Sequence, residues 1–282
     1  MVRAVGIHLS SWQTLWSDPL LPLVACAREA GYDGVEVPLL DPQRVEVAAL
    51  RAALEANGLQ VTCGTGLGPA TDIAHPDASI RRAGIAHLRA CLEVAEALGA
   101  HVLGGVTYAP WGVFPTDNRA ARRRYCIASL REVGAMAADM GITLCLEVLN
   151  RFEGWLLNTV AQGVALLAEL DQPSLKLHLD TFHLNIEESD IGAAIRQAGP
   201  YLGHVHCSEN HRGFPGTGHI PWAEVRAALD AIGYQGWLVV EAFVRPEGEV
   251  GRDLYIWRPI SETLDADVRG AAQLLRQEVA GA

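Results

Sequence analysis

The sequence predicts an α/β protein folded as a (β/α)8 barrel, in a single domain over residues 1–282. Three observations carry that expectation. Eight short apolar runs alternate with longer stretches of helical spacing along the whole chain, the pattern of repeated βαβ units around a parallel sheet. Helix after helix closes on a glycine followed by a further apolar run, at Gly31, Gly58, Gly99, Gly141 and Gly233, where a left-handed cap favours a residue without Cβ. The loop after the first run, HLSSWQTLW, lacks the GxGxxG phosphate fingerprint. An open doubly wound sheet normally carries that loop, so a closed barrel is the better reading.

The expected strands are 5–10, 34–38, 60–65, 101–106, 143–148, 175–180, 202–207 and 236–241. The clearest helix is 79–98, where Ile80, Gly84, Leu88, Cys91, Ala95 and Leu98 recur at steps of three and four on one face. Gly104–Gly105 sits at a strand end without the rest of a nucleotide fingerprint. No Pro/Ser-rich linker or shift in composition divides the chain, and about 250 residues is the usual size of one such barrel.

Composition narrows the function classes. Half of the residues are apolar and 20% are charged, which suits a large buried core rather than disorder. A net charge of −11 repels phosphate backbones, so nucleic acid is not an expected partner. Lys176 is the one lysine, and Schiff-base chemistry would have to rest on it. The six cysteines form no CxxC pair and most lie in apolar stretches, as reduced, buried thiols of a cytoplasmic protein do. The N-terminus lacks a signal-peptide run, and no stretch approaches the ~20 apolar residues of a membrane span.

In a (β/α)8 TIM barrel the reacting side chains stand at the C-terminal ends of strands. Four consecutive expected strands end in LCLEV, KLHLD, GHVHC and WLVVE, which puts Glu147, Asp180, His206 and Glu241 at one level. One charged residue at a strand end is commonly a solvated loop residue. Four at equivalent positions, each after an apolar run, point to a shared cation, because buried carboxylates need a partner. Carboxylate and imidazole donors suit Mn2+, Co2+ or Mg2+ better than a thiolate-seeking metal. Two glutamates in such a set suggest proton abstraction next to a carbonyl, with one glutamate removing a proton and the other returning one to the opposite face.

At these residues the chain resembles a known family. LEVLNRFEGWLLNT (146–159), HLDTFHLNIEES (178–189), HVHCSENHRGFPGTGHIPW (204–222) and VVEAF (239–243), with GVEVPLLDP nearer the start, are similar to the signature segments of the D-tagatose 3-epimerase family. These ketose 3-epimerases include D-psicose (allulose) and L-ribulose 3-epimerases and belong to the wider xylose-isomerase-like barrels. The resemblance implies that Glu147, Asp180, His206 and Glu241 hold one divalent cation, usually Mn2+. It implies that Glu147 and Glu241 are the acid–base pair at C3 of a free ketose, acting through a cis-enediolate. Glu153, His183 and Arg212 match the family's substrate contacts, and a homo-oligomer, dimer or tetramer, is expected. The segments CGTGLGPATDIAHP and TYAPWGVFP match no single substrate-defining pattern, which leaves the ketose open among D-tagatose, D-fructose/D-psicose and L-ribulose types. The stretch ending in LYIWRPI is expected to cover the site or to form an interface.

Other residues are weighed against plainer roles. His178 and Lys176 share the alternation phase of Asp180 and are expected inside the barrel as supporting or counterion groups. Glu36 faces either the pocket or Lys176, and His8 is placed similarly. Trp12, Trp16 and Trp111 stack on a sugar or pack between helix and barrel. His204 reads as core, His211 as a support for Arg212, and the GTG at 216–218 as a turn rather than a phosphate cradle. Competing functions are aldose–ketose isomerisation on the same metal barrel, apurinic endonuclease activity, and non-catalytic sugar binding.

Overall fold

The computed structural model describes residues 2–281; Met1 and Ala282 of the expected domain lie outside the described residues. Eight parallel strands close into one barrel in chain order. They are β1 (Val5–His8), β2 (Gly34–Pro38), β3 (Gln60–Leu67), β4 (Val102–Pro110), β5 (Thr143–Val148), β6 (Leu175–Asp180), β7 (Leu202–Cys207) and β8 (Leu238–Val240). The ring shuts where β1 pairs with β8, Val5 opposite Leu238 and Ile7 opposite Val240. The outer helices are α1 (Leu21–Glu29), α2 (Val47–Asn57), α3 (Ala78–Leu98), α4 (Arg119–Asp139), α5 (Val160–Leu170), α6 (Thr181–Glu187), α7 (Ile191–Ala198), α8 (Trp222–Ala231), α9 (Gly248–Asp253) and α10 (Leu264–Leu274). This is the single-domain barrel that the alternation predicts.

The differences lie at strand ends. β1 stops at His8 because the chain turns there into a 3-10 turn, Leu9–Ser11, capped by the His8 ring accepting from the Ser10 N–H. β3 and β4 run further than expected, to Leu67 and Pro110, with a register shift between Gly66 and Leu67. β8 keeps only three residues, so Glu241 follows the strand rather than ending it. The expected cap glycines all adopt positive φ, from 62° at Gly58 to 91° at Gly31, the region that suits glycine.

Apolar side chains between strands and helices make up most of the core. Val5, Ile7, Val37, Leu103, Leu144, Leu146, Leu177, Val205 and Val240 pack there from nearly every strand. Arg3 fastens the far end of the chain to the barrel. It is buried, and its Nε donates to Tyr234 O at 2.9 Å and its Nη1 to Val279 O at 2.8 Å.

Helix α3 rides unusually close to the turn that precedes it. A Cβ built on Gly84 would lie 2.2 Å from Thr71 O and 2.6 Å from Ile73 Cγ2, so the helix must shift to admit one. Gly84→Ala is expected to cost about 1–3 kcal/mol by overpacking. Gly270, inside α10, has open space around its Cβ position, and Gly270→Ala should add about 0.5–1 kcal/mol through backbone entropy. Calorimetric melts should therefore shift in opposite directions; a Gly84→Ala melt at or above wild type would refute this packing.

Candidate active site

The four expected ligands meet. One donor atom from each of Glu147, Asp180, His206 and Glu241 lies within 4.8 Å of the others, and all four residues are buried. Glu147 stands near the end of β5 and His206 near the end of β7. Asp180 ends β6 and caps α6, one oxygen accepting from the Phe182 N–H at 2.8 Å. Glu241 follows β8, its N–H donating to Cys207 O at 3.3 Å.

The electrostatics of this cluster are strained in one direction. Burial, then the charges of Glu241 and Asp180, pushes the Glu147 carboxyl well above the carboxylate range. Burial pushes the Asp180 carboxyl up to about 7, against the pull of Arg212. Burial also opposes ionisation of Glu241, but His206 and Arg212 outweigh it and hold that carboxyl low. Three acidic groups therefore share one imidazole and one guanidinium. The Nδ1 of His206 is buried, has no hydrogen-bond partner among the described residues, and lies 3.4 Å from Glu241 Oε2. A dication fits this set: it answers the excess negative charge and takes the orphaned nitrogen.

Arg212 completes the wall. Its Nη1 lies 3.0 Å from Asp180 Oδ2 and 3.4 Å from Glu241 Oε2, and its Nη2 lies 3.7 Å from Glu153 Oε2. The guanidinium sits over the Phe182 and Phe243 rings, at 4.5 and 5.3 Å. Its backbone has φ of 68°, a costly conformation for a side chain this large. The surrounding structure holds it there, since Arg212 O accepts from Phe243 N at 2.9 Å and Arg212 N donates to Glu209 O at 3.0 Å.

His183 is fixed as a donor. Its Nδ1 accepts from the Asn150 backbone N–H at 3.2 Å and from the Asn150 amide at 2.8 Å, so the ring proton resides on Nε2. That nitrogen points at Glu147 Oε1, 3.5 Å away. Burial, reinforced by Arg212, depresses the His183 pKa to about 3, and the ring stays neutral. Asn150 also donates to Glu153 Oε1 at 3.0 Å, while Trp111 Nε1 donates to Glu153 Oε2 at 2.9 Å. Burial would raise the Glu153 carboxyl, but Arg212, His183 and these donors hold it below its usual range.

Three members of the cluster, Glu147, His206 and Glu241, line a cavity of about 410 Å³, the size of small-molecule sites. One wall is polar, from Glu147, His183, His206, Arg212 and Glu241; the opposite wall is apolar, from Leu40, Leu67 and Val106. Trp16 and Trp111 both line it. Trp16 is braced by Asp253 Oδ2 at 3.0 Å, whereas Trp12 packs against the core. Tyr255 of the LYIWRPI stretch stacks on Trp111 with ring centroids 5.8 Å apart, so that stretch does cover the mouth.

The remaining residues fall into place around this floor. Glu36 does not reach Lys176: it bonds His204 and His206 beneath the cluster. Lys176 leaves the barrel at the other end, where its Nζ donates to Pro200 O at 2.7 Å. His178 accepts from Gly105 N at 3.2 Å. A Cβ on Gly104 would stand 3.2 Å from that ring and 3.3 Å from His204, which is what the Gly104–Gly105 pair provides. The His178, His204 and His206 rings also converge; His204 and His206 bond Glu36 through Nε2 and His178 takes the Gly105 N–H through Nδ1, while the other nitrogen of each ring has no hydrogen-bond partner among the described residues. His8 lines the cavity, and His211 accepts from Gly213 N at 3.2 Å. The 216–218 loop is a turn, because Glu209 already takes the Gly216 and Ile220 amides and the Trp222 ring N–H.

Sequence reasoning passed over Asn150, Phe243, Glu209 and the apolar wall. Asn150 and Glu209 read as ordinary loop polar residues, although Asn150 lies three positions from Glu153 in the same matched segment, which was the available signal. Leu40, Leu67 and Val106 are indistinguishable from core residues in a linear pattern.

Comparison with known proteins identifies the family. The family described as xylose isomerase-like TIM barrel matches residues 24–266. A D-psicose 3-epimerase of Agrobacterium fabrum is 36% identical, over 98% of this chain and 99% of its own. An L-ribulose 3-epimerase of a Methylomonas species is 36% identical, over 96% of each chain. A crystal structure of a D-psicose 3-epimerase in the presence of D-fructose superimposes with a TM-score of 0.95 at 35% identity, covering 99% of this chain and 100% of that one. With the family model, the near full-length relatives and the barrel fold in agreement, the chain belongs to the ketose 3-epimerases of the xylose isomerase-like TIM barrel family.

Proposed function

We infer that the protein is a metal-dependent isomerase that epimerises free ketoses at C3. The observation that carries this is the convergence of Glu147, Asp180, His206 and Glu241 within 4.8 Å, beside a cavity that Glu147, His206 and Glu241 line. When held by those four groups, a divalent ion supplies electrophilic polarisation of the ketose carbonyl. The oxygen-rich donor set with one imidazole supports Mn2+, with Co2+ or Mg2+ as the alternatives.

The residues of the chain do the rest. Glu147 and Glu241 come from β5 and from just after β8, with β6 and β7 between them, so they reach a bound sugar from different sides. One, ionised, takes the C3 proton, and the C–H electron pair passes toward the carbonyl to give a cis-enediolate. The other, protonated, returns a proton to the opposite face of C3, and the centre inverts. The reverse reaction starts with the two protonation states exchanged. The Nε2–H of His183 donates to a substrate oxygen, Arg212 offers a fork of donors to neighbouring oxygens, and Glu153 accepts from a hydroxyl. The apolar wall of Leu40, Leu67 and Val106 meets the carbon chain without reading each hydroxyl, which supports a set of ketoses (D-tagatose, D-fructose/D-psicose, L-ribulose) rather than one.

Phe152, Tyr255 and Trp257 are 59–72% exposed around the mouth, which supports a dimer or tetramer; a monomer mass by light scattering would count against it. All six cysteines are free, and no helix among the described residues is long and apolar enough to cross a membrane. The free thiols support a reducing, cytoplasmic setting.

Mn2+-loaded enzyme in D2O with D-fructose, D-psicose, D-tagatose and L-ribulose should place deuterium at C3 and yield the C3 epimer. Exchange at C1 alone would mean aldose–ketose isomerisation instead, and no exchange in any ketose would reject the assignment. Glu147→Gln and Glu241→Gln should each lower kcat by about 10²–10⁴-fold, the usual worth of a positioned acid or base.

Proton competition gives a further expectation. Without an ion, Asp180 titrates near 7 and both Glu147 and His206 hold protons above their ordinary pKa values. These groups keep protons that an ion must displace, so binding tightens as pH rises through that range. The ion-free fold itself responds to pH in two opposed ways: the raised pKa values of Glu147, Asp180 and His206 weaken it as pH rises, and the lowered pKa values of buried His8, His178 and His183 strengthen it. The quantity to follow is therefore the gain in Tm on adding Mn2+, which should grow from pH 5 to pH 8. A gain that is flat or shrinks over that interval would contradict it.

A further inference from the structure

Beneath the cluster lies a carboxylate that the reaction does not use. Glu36, on β2, is fully buried. Its Oε2 takes the Thr62 hydroxyl at 2.8 Å and His204 Nε2 at 2.7 Å, and its Oε1 takes His206 Nε2 at 2.6 Å. An ionised carboxylate only accepts, so each imidazole must present an N–H at Nε2. In the neutral ring of His206, the form that binds an ion, this leaves the lone pair on Nδ1, the nitrogen that has no partner and lies 3.4 Å from Glu241 Oε2. The ring is steadied from the side by His178, whose ring packs edge-on with centroids 4.0 Å apart and planes at 80°. His204 and Thr62 hold the second oxygen of Glu36 and so stop the carboxylate from rotating away from His206.

We propose that Glu36 is a positioning residue for the cation: by holding the Nε2 proton of His206 it keeps the Nδ1 lone pair free and aimed at the cluster, and its charge makes that nitrogen a stronger donor. The proposal rests on the reading of Glu147, Asp180, His206 and Glu241 as a cation site. The barrel supplies the reason for so polar a layer in its centre. A hydrocarbon at position 36 would fill the same volume, but it would leave two buried imidazole N–H groups unpaired and would free His206 to place its proton on Nδ1, where it blocks the ion. Carboxylate partners of metal-bound histidines act in this way in general, and losing one typically weakens metal binding about 10–100-fold.

The test is Mn2+ titration calorimetry on wild type, Glu36→Gln and Glu36→Leu, with folding checked by circular dichroism and melting. Both variants should bind Mn2+ at least tenfold more weakly than wild type while still folded. A folded variant with a lower Tm and an unchanged Mn2+ affinity would show that Glu36 only fills the core, and would overturn the proposal while leaving the cation site intact. Failure of wild type itself to bind Mn2+ would remove the cation reading and this proposal with it. A neutron structure of Mg2+-loaded wild type decides the matter even if neither variant folds. A deuteron on His206 Nε2 facing Glu36 supports the proposal, and a deuteron on Nδ1 overturns it.

Discussion

Three carboxylates and an imidazole are buried together at the mouth of this barrel with too little positive charge among them, and the rest of the site is arranged around that deficit. Among the described residues Arg212 is the one guanidinium paired with the group, and it reaches Asp180, Glu241 and Glu153 at once. One cation cannot neutralise three buried anions. The consequence is visible in Glu147 and Asp180, both pushed toward their protonated forms by burial and by their acidic neighbours. A metal ion held there would turn the same crowding into an electrophile with two glutamates beside it, which is the reading proposed for this member of the ketose 3-epimerases.

The fold delivers this by geometry. Parallel strands end at one level, so one side chain from β5, β6 and β7 and one from just after β8 arrive at a common point although they are up to 94 positions apart in sequence (147 to 241). The loops then orient what the strands cannot. Asn150 ties the His183 ring and the Glu153 carboxylate to one amide, whose own oxygen is fixed by the Phe152 N–H at 2.9 Å. Arg212 is held in a left-handed conformation between the loop after β7 and the segment after β8. Such strain fits a residue whose direction matters more than its stability.

Much of this was legible in the chain. The strand ends could be read because each acid or imidazole follows an apolar run, and burial at a barrel mouth gives such a residue few roles. The helix ends could be read because glycine alone tolerates positive φ cheaply. Less was legible wherever the meaning of a residue depends on closure of the ring. Glu36 meets His204 and His206 across 168 and 170 positions, and nothing local to β2 announces those partners. The early end of β1 at His8 reflects a ring accepting its own backbone N–H two residues on, a turn that an apolar pattern does not record. The apolar wall was hidden for the opposite reason, since leucine and valine at strand ends look like any other core.

The claim on which the account depends is that Glu147, Asp180, His206 and Glu241 bind one ion. Anomalous diffraction at the manganese edge, from crystals grown with Mn2+, measures this directly. The account predicts a single strong peak bonded to all four side chains, with His206 engaged through Nδ1. No peak there, or a peak elsewhere with the four groups turned apart, would contradict it.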